Sequence, residues 1–346
     1  MRRVAQTILV CLACATPPAF GVTDWVGLRP IVPVAALAPA TPRPAANPSL
    51  PSQFLAQMAQ GIANGTPAAD AALQEATRLG VAAARAAEGT YARLPTFELD
   101  AGFAKNHKPT FGVLAVVPMY ESQDLANTVF GQVSAYGTDG RTTVNLGLGA
   151  RRLVSGNRVL LGVNAFYDYE FPYAHARTSL GVEVRTSVGE FNANVYQGRT
   201  DWHTGRGDIA ERAMGGNDIE LGVALPYLPQ AKLFGKHFHW DAYDGLADIT
   251  GNVLSLKANL ASAFAVEVGR TYYGAATRTT QANANFISVQ VDVMKLLNPP
   301  QQPPAFFAKD TYELASMVDH RFDKVRRENL IQVQSGRRFI VTASGI

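Results

Sequence analysis

The sequence predicts an all-β transmembrane barrel of about twelve antiparallel strands, with a C-terminal helix plugging the lumen and an N-terminal, periplasmic, Ala-rich helical segment. Three observations support this prediction. From residue 95 onward, apolar and polar residues alternate in segments of about ten residues. Long connections between these segments fall on one parity. Beyond the N-terminus, no apolar run approaches the roughly 20 residues of a membrane helix. We therefore expect strands to cross the membrane.

The first 21 residues have the pattern of a secretory signal peptide. Arg2 and Arg3 precede an apolar run, and small residues near Gly21 resemble a cleavage site. Lipidation at Cys14 is the weaker alternative, because Cys11 stands where a lipobox has leucine. An exported mature chain would then lack cysteine and disulfides. The predicted order continues with a Pro/Ala-rich linker over 22–50, the helical segment over 51–94, the barrel over 95–297, and a linker, lumen helix and short tail over 298–346.

Composition narrows the function classes. The formal net charge is +3 and the pI is near 8.8. This mild balance does not indicate a nucleic-acid partner. Charged residues make up only 17% of the chain and glycine is abundant at 30 residues, which is unusual for a soluble globular protein.

The alternation is clearest in "ANFISVQVDVM", where Ile287, Val289 and Val291 alternate with Ser288 and Gln290. Some other segments alternate more loosely, and "FGVLAVV" is almost continuously apolar. Together they give about twelve strands. The predicted strand starts lie near Thr96, Thr110, Asn127, Arg141, Val159, His175, Glu190, Asn217, Ala231, Asn252, Phe264 and Asn285.

The connections provide an independent test. The odd-numbered ones include the long stretches 199–216, 241–251 and 274–284, whereas even-numbered ones such as 187–189 and 226–230 are mostly short. Outer-membrane barrels have short periplasmic turns and longer extracellular loops. A soluble β-sandwich has no reason to show this asymmetry.

Residues 160–185, "LLGVNAFYDYEFPYAHARTSLGVEVR", resemble an acid–base site through Asp168, Glu170, His175 and Arg177. Strand alternation gives another interpretation. With a turn near residues 172–173, Glu170 lies opposite His175 and Asp168 opposite Arg177. Such cross-strand pairs contribute roughly 0.2–1 kcal/mol each, and we favour this structural interpretation over a catalytic one.

The same parity predicts which polar side chains face the lumen and which aromatic side chains form a girdle at the membrane interface. The predicted girdle consists of Tyr167, Tyr169, Phe171 and Trp240. The predicted lumen-facing residues are Glu98, Asp100, Asn145, Asn164, Asp168, Glu170, His175, Arg177, Glu183, Arg185, Asn192, Asn194, Asp218, Glu220, Lys257, Asn259, Glu267, Gln290 and Asp292.

Catalytic and metal motifs are weak. No Ser/His/Asp order, Gly-rich phosphate loop or cysteine pair outside the signal peptide is evident. His237 and His239, with Asp241 beyond them, could seed a metal site, but the spacing supplies no third strong ligand. The sequence therefore predicts no enzyme, no cofactor and no metal site.

After a stiff Pro-rich link at 298–304, residues 310–330 have the composition of a helix with basic residues late in it. About 19 helical residues would span about 28 Å, but this segment is too charged to face lipid. The alternatives are a helix inside a polar lumen and an amphipathic periplasmic helix. The predicted plug residues are Asp319, Arg321, Asp323, Lys324, Arg326, Arg327 and Glu328.

Several stretches, in order, resemble the β-domain of the inverse autotransporters, the intimin/invasin family. They include "DGRTTVNLGLGARRL", "LLGVNAFYDYEF", "HARTSLGVEVR", "NANVYQG", "DIELGVALPYLPQAKLFGKHFHWD" and "FDKVRRENLIQVQ". The resemblance runs from about Pro95 to about Gln334. It implies a twelve-stranded outer-membrane barrel of type V secretion, whose helical linker threads the pore to a C-terminal adhesin passenger. The resemblance favours the lumen position for the helix.

The chain departs from this pattern at both ends. Its N-terminal region has no recognisable peptidoglycan-binding module, and only "SGRRFIVTASGI" follows "IQVQ". We therefore expect a translocator and anchor whose cell-adhesion passenger is minimal or missing. The rivals are a small porin-like channel and a passenger-less structural outer-membrane protein. The expected partners are outer-membrane lipid and the barrel-assembly and periplasmic chaperone machinery, with peptidoglycan or a surface receptor as further candidates.

Overall fold

The computed structural model describes residues 94–275, 277, 281–300, 305, 307–336 and 338–340. The predicted signal peptide and Pro/Ala-rich linker lie outside the described residues, as does the helical segment up to residue 93. In the described part of the chain, no helix has the length and apolar character needed to cross a membrane.

Twelve of the described strands close into an antiparallel barrel, which confirms the predicted number and arrangement of barrel strands. Each strand begins within three residues of its predicted start. The barrel closes where Leu99 pairs with Val291. Its strands are β1 (Thr96–Ala104), β2 (Thr110–Glu121), β3 (Asn127–Thr138), β4 (Arg141–Val154), β5 (Val159–Phe171), β6 (His175–Arg185), β7 (Gly189–Gly198), β10 (Gly216–Leu225), β11 (Leu228–Trp240), β12 (Ile249–Ala261), β13 (Phe264–Tyr273) and β14 (Ala284–Asp292).

The period-two pattern divides each strand between two surfaces. On β5, Leu161, Val163 and Tyr167 are exposed on the outer face, whereas Asn164 and Asp168 are buried inside. This arrangement is typical of a membrane barrel, which is apolar toward lipid and polar toward its lumen.

The two ends of the barrel differ. At one, the turn end, connections are as short as residues 155–158, 186–188 and 226–227. At the other, the loop end, the connection over 199–215 contains β8 (His203–Thr204) and β9 (Ala210–Ala213). These join β15 (Val333–Ser335) and β16 (Arg338–Ile340) in a small sheet of order β16-β15-β9-β8.

A short helix, α1 (Val293–Leu297), follows the last barrel strand at the turn end. The carboxylate of Asp292 caps it by accepting hydrogen bonds from the backbone N–H groups of Met294 and Lys295, at 3.0 and 3.2 Å. This is the usual way to satisfy the free donors of a helix N-terminus.

The predicted helix over residues 310–330 is wrong. This segment is irregular, and its one helical feature among the described residues is a 3₁₀ turn over Val318–His320. Helix propensity is a weak preference that surroundings override. Here the backbone carbonyl groups accept hydrogen bonds from side chains of the barrel wall, so they do not need a helix for satisfaction.

Candidate functional site

The C-terminal segment crosses the lumen from one end of the barrel to the other. We call residues 307–335 the through-segment. At the turn end, the Ala308 N–H donates to the Tyr227 carbonyl at 3.0 Å and the Met317 N–H to that of Asn157 at 2.7 Å. At the loop end, the Met214 N–H donates to the carbonyl of Gln332 at 2.9 Å. The segment therefore runs through the pore from the turn end to the loop end.

Its entry is fixed by packing and by hydrogen bonds to the wall. Met317 is 2% exposed and packs against Leu153 and Leu160. The hydroxyl of Thr96 donates to the carbonyl of Phe322 at 2.7 Å. These contacts hold the through-segment against strands β1, β4 and β5.

Lys324 contacts two acidic side chains inside the barrel. Its ammonium group lies 2.7 Å from a carboxylate oxygen of Glu98 and 3.2 Å from one of Asp100. The hydroxyl of Tyr136 donates to the other oxygen of Asp100 at 2.7 Å. Strand β1 thus supplies two acids for one cation of the through-segment, and β3 supplies the tyrosine that binds one of them.

Arg326 contacts a different part of the wall. Its guanidinium contacts the carboxylate of Glu220 at 2.5 Å and that of Glu267 at 3.3 Å. The same group lies 3.9 Å above the ring centroid of Phe234. A desolvated cation over an aromatic face is stabilised by the ring quadrupole, so strands β10, β11 and β13 hold this residue on three sides.

Asp168 is the centre of the most deeply buried charge cluster. It accepts two hydrogen bonds from Arg327 of the through-segment, at 2.9 and 2.6 Å, and one from Arg177 of the wall, at 2.9 Å. The side-chain amide of Asn145 donates to it at 2.8 Å. The side chains of all three charged residues are fully buried. Such a group is costly to disrupt, because a remaining charge would lie in a dry interior.

Wall side chains also bind the backbone of the through-segment. Because that backbone is not helical, its carbonyl oxygens can accept hydrogen bonds from donors on several strands. Arg151 donates to the carbonyls of Arg321 and Asp323, Arg177 to that of Glu328, Asn194 to that of Arg326, and Asn145 to that of Asn329.

The exit of the through-segment is built from β-pairing. Strand β15 pairs antiparallel with β9, with Val333 opposite Ala213. Both residues are buried in a small apolar cluster with Ile331. The long connection between β7 and β10 therefore receives the chain as a new strand at the loop end.

Glu211 of β9 anchors this sheet to the barrel rim. Its carboxylate contacts Arg141 at 2.7 Å and His175 at 3.1 Å. Burial raises the pKa of Glu211, but the hydrogen bonds from Arg141 and His175 outweigh burial, so that the pKa lies below its ordinary value. Glu211 is thus held as an anion under the loop-end sheet.

The register predicted for residues 160–185 is confirmed. Asp168 lies opposite Arg177, and Glu170 opposite His175. Asp168 and Arg177 form the expected ion pair at 2.9 Å. Glu170 instead contacts Arg141 at 2.6 Å, because His175 contacts Glu211. Strand alternation could not have found Glu211, since it comes from a loop.

Most of the predicted lumen residues lie inside the barrel. Glu98 and Lys257 are half-buried. Asn259 keeps the regular register of β12 but is exposed near the turn end of that strand, which differs from the prediction, and the register shift between β12 and β13 begins only after it. The buried ones are Asp100, Asn145, Asn164, Asp168, Glu170, His175, Arg177, Glu183, Arg185, Asn192, Asn194, Asp218, Glu220, Glu267, Gln290 and Asp292.

The remaining predicted plug residues lie in the through-segment, although it is not a helix. Asp323 contacts Arg185 at 3.0 Å, and Arg321 contacts Glu121 at 2.5 Å. Glu328 is buried 3.8 Å from Lys236, whereas Asp319 is exposed. The sequence therefore identified the segment and its charges but not its backbone conformation.

Of the predicted girdle, Tyr167 is 47% exposed on the outer face, and Tyr169 and Phe171 are half-buried with their ring centroids 4.8 Å apart. The girdle prediction is wrong for Trp240, because this side chain is 2% exposed and its ring centroid lies 5.2 Å from that of Tyr196. On β11 the inward positions are largely aromatic, so polarity did not mark the lumen face.

Trp240 belongs to a pattern of aromatic–glycine pairs that strand alternation does not reveal. Seven buried aromatic rings lie over glycines directly opposite them on the neighbouring strand, where a side chain would overlap the ring. Flattened against the wall in this way, the rings leave lumen space for the through-segment. The pairs are Tyr136 with Gly112, Phe166 with Gly147, Phe130 with Gly149, Trp240 with Gly216, Phe234 with Gly222, Phe238 with Gly251, and Phe286 with Gly269.

Comparison with known proteins gives a consistent result. A sequence model described as "Inverse autotransporter, beta-domain" matches residues 92–329. Intimin of Escherichia coli O157:H7 is 33% identical over 130 residues, covering 36% of this chain and 14% of that protein. Intimin of Citrobacter freundii is 28% identical over 228 residues, covering 62% of this chain and 23% of that protein.

Two further matches complete the comparison. The inverse autotransporter adhesin YeeJ of E. coli K12 is 30% identical over 129 residues, covering 36% of this chain and 5% of that protein. A structure from a study of the in-meso crystallization of membrane proteins matches with a TM-score of 0.54 and 18% identity. That match covers 69% of this chain and 99% of the other, and it concerns the fold alone. The chain thus spans only a small part of the curated relatives.

Proposed function

Because the chain belongs to the inverse autotransporter β-domain family, we propose that it is the translocator and anchor domain of a type V secretion protein in the outer membrane of a Gram-negative bacterium. In this proposal the turn end lies in the periplasm and the loop end at the cell surface, as the connection lengths of outer-membrane barrels favour.

The observation that carries the proposal is the path of the through-segment. Strand β14 ends at the turn end, yet β15 pairs with β9 at the loop end. The chain between them returns through the lumen. Any residues that follow β16 would therefore be delivered to the outer surface, while the barrel remains as their anchor.

The ion pairs in the lumen hold the through-segment in place. Lys324, Arg326 and Arg327 each contact acidic groups on different parts of the wall, through Glu98, Glu220 and Asp168 respectively. Sliding the segment in either direction would separate all three buried pairs at once, and each broken pair leaves an uncompensated charge. This favours a fixed plug over a mobile one.

Planar-bilayer conductance separates this proposal from the porin-like alternative. A barrel filled by the through-segment should conduct almost no current, and deletion of residues 310–346 should open it, because the polar wall would then line a water-filled pore. High conductance of the intact chain, or no increase after the deletion, would contradict the plugged translocator.

Topology needs a separate test. An epitope tag placed after Ile346 should be removed by protease added to whole cells, since β15 and β16 lie beyond the loop end. A matched tag inserted in the short turn near Ser187 should be protected under the same conditions. Protection of the C-terminal tag would contradict the proposed path.

The proposed role concerns the barrel and the through-segment, since the chain covers only 14% of the O157:H7 intimin. The expected minimal or missing passenger stays a prediction, and the neighbouring coding sequence tests it. The contacts expected with assembly machinery, peptidoglycan or a surface receptor also stay predictions.

A further inference from the structure

Three side chains at the loop end bring ligand atoms together beside the barrel rim. His239 is the penultimate residue of β11, Asp241 follows that strand, and Asp248 immediately precedes β12. The His239 Nε2 atom lies 3.3 Å from Asp241 Oδ1 and 3.3 Å from Asp248 Oδ2. All three ligand atoms lie within 4.8 Å of one another.

These separations match those of a tetrahedral metal site. Zinc binds histidine nitrogen at about 2.0–2.1 Å and carboxylate oxygen at about 2.0–2.2 Å, and tetrahedral ligands are then roughly 3.3–3.5 Å apart. Both distances from His239 already have this value. The ligand oxygens of the two carboxylates lie within 4.8 Å of each other and would complete the set.

The three residues are held by contacts outside the cluster. His239 lies in register between Asn217 and Thr250 of the adjacent strands. The second oxygen of Asp248 accepts a hydrogen bond from the Ala242 N–H at 2.9 Å. Outer contacts of this kind orient ligands and strengthen metal sites.

The site is also open to solvent. The side chains of His239, Asp241 and Asp248 are 31%, 39% and 47% exposed. A bound ion would keep a position for water, as three-ligand zinc sites do. Its charge would balance that of the two carboxylates, with the histidine neutral.

We propose that His239, Asp241 and Asp248 bind a divalent transition-metal ion of the zinc class, with water as the fourth ligand. Imidazole with carboxylate ligands suits this class of metal. The sequence suggested His237 as the partner of His239, but His237 is exposed and its ring contacts Asn252 at 2.9 Å instead. The fold supplies Asp248 as the third ligand from across the loop.

The ion would strengthen the contact that holds the exit of the through-segment. Tyr243 lies in the loop between Asp241 and Asp248, and its N–H donates to the side-chain oxygen of Gln334 at 2.8 Å. The side-chain amide of Gln334 donates to the Tyr243 carbonyl at 3.4 Å. An ion bound by His239, Asp241 and Asp248 would hold both ends of this loop in place. The loop would then keep its hydrogen bonds to Gln334 of β15.

Isothermal titration of the full-length chain with ZnCl₂ tests the proposal, using protein purified in detergent without a histidine tag. We expect one equivalent of zinc at neutral pH, and a tetrahedral absorption spectrum when cobalt(II) is used instead. His239→Gln and Asp248→Asn should each weaken binding by more than about tenfold, because even outer-contact losses cost roughly 10–100-fold. Binding should also weaken on acidification, because protons compete with the metal for its ligands.

Two matched variants serve as controls. Asp244→Asn removes an exposed charge from the same loop, and His237→Gln removes the neighbouring histidine. Both should bind zinc like the unaltered chain, and all variants should show the same folded band on unheated gels. Absence of a zinc equivalent, or equal weakening by the control variants, would leave only a salt bridge and overturn the proposal.

Discussion

Replacing Asp168 with asparagine tests whether the charge cluster fixes the through-segment in the lumen. The carboxylate is the shared partner of Arg177 on the wall and Arg327 on the segment. Asparagine has nearly the same shape and keeps one acceptor oxygen. The substitution therefore removes the charge with little change in packing, and it leaves two buried guanidinium groups without their anion.

The expected loss of stability follows from this arrangement. Removing one partner of a buried ion pair costs about 3–5 kcal/mol, because the other charge stays uncompensated. Arg327→Met should cost less, about 1.5–3 kcal/mol for the lost charge-assisted hydrogen bonds, because Asp168 would still be neutralised by Arg177. The double variant should cost less than the sum of both, since the two side chains share one interaction.

Urea unfolding of the purified chain in detergent measures these differences, with the folded and unfolded bands on unheated gels as readout. Conductance in planar bilayers reports separately on the plug, and Asp168→Asn should raise it. Asp139→Asn is the matched control, because Asp139 and its partner Arg206 are 50% and 40% exposed at the rim. Exposed pairs contribute about 0–1 kcal/mol.

Two outcomes would contradict this role of Asp168. If Asp168→Asn destabilised the barrel no more than Arg327→Met, Asp168 would not be the shared anion of the two arginines. If it destabilised the barrel no more than Asp139→Asn, burial would not make this cluster important. Unchanged conductance together with lower stability would separate a wall role from a role in holding the segment.

Two further predictions follow from the wall and the rim. Gly147→Ala should lower the free energy of unfolding by about 1–3 kcal/mol, because the new Cβ would overlap the ring of Phe166, whereas Gly235→Ala, with no neighbouring atom within 4 Å, should not destabilise the chain in the same urea assay. Because the pKa of Glu211 lies below its ordinary value of 4.5, its stabilising contribution should be complete above that value and lost as the pH falls further. Protease cleavage of the loop over residues 199–215 should therefore rise on acidification, and Glu211→Gln should remove most of this pH dependence.

The sequence predicted the barrel well because its signal is periodic and local. Leu161, Val163 and Tyr167 alternate with Asn164 and Asp168, and any slip by one residue would turn the polar set toward lipid. Register was predictable for the same reason, since a short hairpin between β5 and β6 fixes which residues are opposite. Alternation failed where the inward residues are aromatic, as at Trp240.

The ion pairs across the lumen were less predictable. Alternation places Glu170 and His175 on the same surface. It cannot show that Glu211, which lies in a loop, contacts His175. Arg141 contacts both acids, at 2.6 Å from Glu170 and 2.7 Å from Glu211. Such partners depend on tertiary structure, and no spacing in the sequence records them.

The error at residues 310–330 has a physical cause that also explains how the lumen is filled. An extended chain advances about 3.3 Å per residue against 1.5 Å in a helix, so roughly half as many residues cross the same thickness. In a helix, the carbonyl groups would accept hydrogen bonds from the helix's own N–H groups. The carbonyl groups of Asp323 and Glu328 instead accept hydrogen bonds from Arg151 and Arg177 of the wall. A helix is also about 10–12 Å wide with its side chains, and the lumen already contains the aromatic rings that cover the glycines. A non-helical backbone therefore lets a polar and densely charged lumen bind both the side chains and the main chain of the segment.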